Sequence, residues 1–150
     1  MVRSGQTHDL EHILTGGDFA CMCELVPAWF SITNHFKHLS PELAGELSIM
    51  YMFVTLRYTV RTLLHYPDVW QTCQDAIERG MRCGHASEPL FMAKYEDVFH
   101  LPLEEARARL GVGEANFVDT SAASARWAAR PRRPLTQEAA TGSAGDPVGE

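Results

Sequence analysis

Ser40-Pro41-Glu42-Leu43-Ala44-Gly45-Glu46-Leu47-Ser48-Ile49-Met50 opens the stretch that decides the fold. Serine, proline and glutamate in that order start a helix. The hydroxyl can accept from a free N–H of the first turn, proline at the first position forfeits no bond, and the acid faces the positive end of the dipole. The spacing predicts a helix to about His65, with Leu43, Leu47, Met50, Val54 and Leu56 or Tyr58 recurring every three or four residues. Such a stripe reads first as the face turned to a core.

Pro67-Asp68 then punctuates the chain. The next helix carries Val69, Trp70, Cys73, Ile77 and Met81 on one side and is expected to end near Gly80 or Gly84. A short helix over Leu103 to Leu110 follows Pro102 and stops at Gly111. No segment alternates with period two and no fixed repeat recurs. The expected fold class is therefore all-α, a helical bundle of about five helices with a disordered C-terminal tail.

Composition divides the chain. Up to residue 118 apolar residues keep helical spacing, and residues 1–118 read as one helical domain. Residues 119–150 are rich in Ala, Ser, Thr, Gly, Pro and Arg and read as disordered, with Trp127 the one residue able to dock. The basic cluster from Arg126 to Arg133 reads as a solvated tail, with contact to an anionic membrane the lesser alternative.

The net charge of −6 argues against nucleic acid as a partner, since that binding needs a basic footprint. No run of 18 apolar residues marks a membrane span. The N-terminal residues show neither a secretory signal nor a transit leader. Cys21, Cys23, Cys73 and Cys83 form no C-x-x-C pair and read as reduced, buried thiols.

The chemistry sits at the front of the chain, in His8-Asp9-Leu10-Glu11-His12. Histidines four apart differ by about 40° around a helix and can both reach one ion, while Asp9, about 100° from His8, can reach it from the edge or orient a ligand. A solvated or core histidine pair is the competing reading of that spacing alone. Glu24 would lie about 160° from His8 on one continuous helix. Gly16-Gly17 breaks that helix, Asp18 is placed to cap a second one, and the reversal returns Glu24 towards the histidines. Pro27 would kink or shape the second helix.

His8, Asp9, His12 and, after eleven intervening residues, Glu24 resemble the H-D-x-x-H…E signature of the ubiquinone (coenzyme Q) biosynthesis protein 4 family. The later stretch Gly80-Met-Arg-Cys-Gly84, Pro89-Leu90-Phe91, Tyr95-Glu96 and Leu101-Pro-Leu to Leu110-Gly111 is similar to that family's C-terminal segment. Against that pattern the chain reads as an N-terminally shortened member, lacking the family's preceding helices.

The resemblance implies a divalent metal, zinc first and iron second, held by His8, His12 and Glu24, with Asp9 a fourth ligand or close partner. It implies a role in ubiquinone biosynthesis, linked to replacing the ring carboxyl at carbon 1 of a polyprenylated hydroxybenzoate by a hydroxyl. The alternatives are a non-catalytic lipid-binding scaffold that organises quinone-biosynthesis enzymes at the membrane surface, or a truncated remnant. Candidate substrate residues are Arg57 and Arg61, one turn apart, for a carboxylate or phosphate head, and Met50, Phe53 and Val54 for the isoprenoid tail. For these, a solvated face and a core stripe are the competing readings. The expected setting is the bacterial cytoplasm, peripheral to the inner membrane, or the matrix face of the mitochondrial inner membrane. An apolar face left bare points to a homodimer.

Overall fold

A computed structural model describes residues 2–115 and 119–129, with side chains from Thr7 onward. Six α-helices are present among them: α1 (Val2–Thr15), α2 (Leu25–His38), α3 (Pro41–His65), α4 (Trp70–Ala86), α5 (Leu103–Leu110) and α6 (Ser121–Ala129). Short 3-10 turns precede α2 (Cys21–Glu24) and α4 (Pro67–Val69) and lead towards α5 (Leu90–Met92 and Tyr95–Asp97). There is no β-strand among the described residues, so the all-α expectation holds.

Helix α2 is the centre of the bundle. Its residues from Leu25 to Ala28 and from Phe30 to His35 are buried, and it packs most extensively on α4, then on α3. Gly80 and Gly84 make the α2–α4 contact close. A Cβ at Gly80 would stand 2.4 Å from the Val26 carbonyl, and one at Gly84 would stand 2.6 Å from that of Phe30. The two glycines therefore lie inside α4, which runs on to Ala86, rather than ending it as their type suggests. Gly111 does end α5, at φ 66°.

Helix α3 starts as expected, with Ser40 Oγ accepting from Leu43 N, and ends at His65. Its orientation is the opposite of the expected one. The face packed inward is the stripe of Ala44, Ser48, Thr55 and Thr62, while Leu43, Leu47, Met50, Val54 and Leu56 are exposed. The small stripe lets α3 lie close to α2. The threonines spend their hydroxyls within the helix, Thr62 donating to Tyr58 O at 2.7 Å, so their burial leaves no donor unpaired.

The C-terminal stretch is also corrected in part. Residues 121–129, within the segment expected to be disordered, form α6. Trp127 is buried in the cluster of Met22, Cys23, Leu25 and Val26, against the rings of Tyr58 and Tyr66. Arg126 pairs with Asp68. The helical domain thus extends past 118, and the rest of the stretch, 130–150, lies outside the described residues. No described helix is long and apolar enough to cross a membrane.

Candidate metal centre

Helix α1 carries His8 and His12 and ends at Thr15, whose hydroxyl donates to Glu11 O at 2.7 Å. Gly16 takes φ 82° and turns the chain. Gly17 N then donates to His12 O at 2.9 Å, which brings the following loop back along α1.

Asp18 does not cap α2, because a 3-10 turn intervenes. Its Oδ1 accepts from Ala20 N at 2.6 Å, and its Oδ2 accepts from Thr120 N at 2.7 Å. Ser124 Oγ accepts from Met22 N at 3.1 Å. The start of α6 therefore holds the loop that delivers Glu24 to the first turn of α2. Pro27 lies in that same turn, where its missing N–H has no partner to lose, and it introduces no break in α2.

His8, His12 and Glu24 converge, with one ligand atom from each lying within 4.8 Å of the others. His8 Nε2 is 2.9 Å from Glu24 Oε2, His12 Nε2 is 3.5 Å from Glu24 Oε1, and the two Nε2 atoms are 3.2 Å apart. Side-chain exposure falls from about a third at His8 and Glu24 to 1% at His12, so the group opens to solvent on one side. Phe19, itself exposed, lays its ring 5.2 Å from that of His12.

The electrostatics follow from this geometry. Hydrogen bonds to His12 and His8 pull the Glu24 carboxyl down to about 2. The bond to Glu24 raises His8 against the opposing effect of burial. Burial raises Glu11 to about 7, opposed by the charges of His8 and His12 and by hydrogen bonds to Ser31 and Thr7. Burial also pushes the Cys23 thiol up to about 12, so a thiolate centre is disfavoured.

Two imidazoles and a carboxylate suit zinc or non-haem iron, and three protein ligands leave positions for water or substrate. Glu24 stands within ion-pairing distance of both imidazoles, and the two rings are within hydrogen-bonding distance of each other. Among the described residues His12 Nδ1 is buried without a hydrogen-bond partner, which departs from the usual support of a metal-bound histidine.

Asp9 is exposed and is not part of this group. Arg61 is occupied, its guanidinium lying 3.9 Å from the centroid of the Trp127 ring and its Nη2 donating to Tyr66 Oη at 3.5 Å. Arg57 is exposed, as are Met50, Phe53 and Val54 on the outer side of α3.

Sequence reasoning passed over Glu11 and Phe19. Glu11 stood inside the quoted motif, about 60° from His8 around the helix, and that angle was the available signal. Phe19 had none. No family model, curated protein or solved structure matches the chain. Fold and site define an all-α protein with a three-residue His–His–Glu candidate centre.

Proposed function

We propose that the chain is a metal-dependent protein of ubiquinone biosynthesis that acts on a polyprenylated hydroxybenzoate. The observation that carries this reading is the return of Glu24 to within 2.9 Å of His8 across the glycine turn. The motif resemblance supplies the substrate class. A bound divalent cation, zinc first and iron second, would stabilise negative charge developing on a ring carboxylate. His8, His12 and Glu24 would hold it, and the half-open side of the group would admit the carboxylate. In the overall change the carboxyl leaves as carbon dioxide, a hydroxyl takes its place, and an oxidant such as dioxygen accepts the electrons. The proposed setting is the membrane surface, where the isoprenoid substrate and the other enzymes of the sequence meet.

A second reading, a lipid-binding scaffold without chemistry, is favoured by a different observation. An open apolar cavity of about 220 Å³ lies between α1 and the segment leading to α5, lined by Leu10, Ile13, Leu14, Val98, Phe99 and Leu103 among others. Its α1 residues lie about 100° or more around the helix from either histidine. A lipid seated there would be separated from the metal ligands by the helix itself.

Elemental mass spectrometry of the purified chain and of His12→Ala tests the first requirement. About one zinc or iron per chain, lost in the variant, is expected, and no metal in either would overturn the metal-dependent reading. Carbon dioxide release from a prenylated hydroxybenzoate under air, abolished in His12→Ala, then separates enzyme from scaffold.

A further inference from the structure

We infer that the exposed face of α3 is the contact between two copies of this chain, packed antiparallel about a two-fold axis passing between Tyr51 and Met52. The outward stripe of this helix is apolar along its length, with Met50 59% and Phe53 66% exposed. Beyond Glu42 in its first turn, two exposed charges interrupt it, Glu46 towards its N-terminal end and Arg57 towards its C-terminal end. They stand equally far from the midpoint of residues 51 and 52. An antiparallel copy therefore sets Glu46 level with the partner's Arg57, and Arg57 level with the partner's Glu46.

The same operation sets Met50 level with the partner's Phe53 and Leu43 level with the partner's Val60. Apolar residues meet apolar ones, and each acid meets a base. This is the self-complementarity that an isologous interface requires. Glu46, Met50, Phe53 and Arg57 fall within about 60° of one another around the helix, so one face presents them all. A parallel pairing would set Glu46 against Glu46 and Arg57 against Arg57, and like charges reject it. An anionic membrane surface is the poorer occupant, because Glu42 and Glu46 would meet it at one end of the helix and the chain carries a net charge of −6.

Sedimentation equilibrium of the full chain tests this. The wild type is expected at twice the 16.7 kDa of one chain. Glu46→Arg and Arg57→Glu each turn two attractive pairs into two repulsive ones and should weaken dimerisation on the order of tenfold or more. Both positions are exposed, so circular dichroism should show unchanged helix content. An equal mixture of the two single variants recreates both attractive pairs and should restore the dimer, as should the doubly reversed chain. A monomeric wild type overturns the inference, as do single reversals without effect or a mixture that fails to pair. A monomer that binds neutral phosphatidylcholine vesicles, and loses binding on Phe53→Ser, also overturns it and gives the face to lipid.

Discussion

Asp18 accepts hydrogen bonds from both the backbone N and the hydroxyl of Thr120, at 2.7 and 3.2 Å, across 102 residues of sequence. Thr120 is fully buried, and Ser124, one turn on, accepts from Met22 N in the turn that ends at Glu24. The C-terminal helix thus acts on the candidate centre through the loop between α1 and α2.

Thr120→Val keeps the volume and removes the hydroxyl, leaving an Asp18 oxygen short of a donor. A loss of about 1–3 kcal/mol in urea unfolding is expected. Metal affinity should weaken with it, read by titration with zinc, because the Glu24 loop loses an anchor. Weakened stability with unchanged affinity would show that the loop is held well enough without α6.

Glu24→Gln is nearly isosteric and removes the charge that holds both imidazoles. Metal loading should fall sharply, while the far-ultraviolet dichroism stays near that of the parent. Cys23→Ser is the matched control. Its thiol is buried and neutral, and metal content should be unchanged.

The pH dependence of the metal-free chain follows from three shifts. Glu24 is held down at about 2, so its stabilisation is present above its ordinary 4.5 and is lost as pH falls towards 2. His8 is raised above 6.5, so its contribution is complete below that value and is lost as pH rises through the folded pKa. Glu11, raised from 4.5 to about 7, has the opposite sign from Glu24 and costs stability as pH climbs between those values. Thermal unfolding in chelator should therefore show stability highest near pH 4.5, falling on the acid side as Glu24 protonates and on the alkaline side first as Glu11 ionises and then as His8 loses its proton. Glu11→Gln should stabilise the chain by about 2 kcal/mol near pH 8 and change little near pH 4.5. A stabilisation of equal size at both pH values would place its origin in packing.

Gly80→Ala and Gly84→Ala force a methyl group onto the backbone of α2 and should each cost about 3 kcal/mol. Gly45→Ala meets nothing within 4 Å among the described residues, in the second turn of α3, and should stabilise by about 0.5–1 kcal/mol through helix propensity. Chemical denaturation of the three variants reads both signs in one experiment.

The sequence by itself determined the helices and the break that makes the centre. Ser40-Pro41, Pro67 and Gly111 punctuate the chain through local backbone chemistry, which needs no neighbour to act. Gly16-Gly17 is local in the same way. Because that turn is short, the return of Glu24 to His8 and His12 could be read from residue order alone. Tertiary structure decided which faces are buried. The apolar stripe of α3 pointed to the core by periodicity, yet the close approach of α2 selected the small residues Ala44, Ser48, Thr55 and Thr62 and turned Met50 and Phe53 outward. Gly80 and Gly84 read as helix ends until packing showed what a Cβ would strike. Asp18 with Thr120, and Arg61 with Trp127, join residues far apart in sequence, and no local pattern records such a meeting.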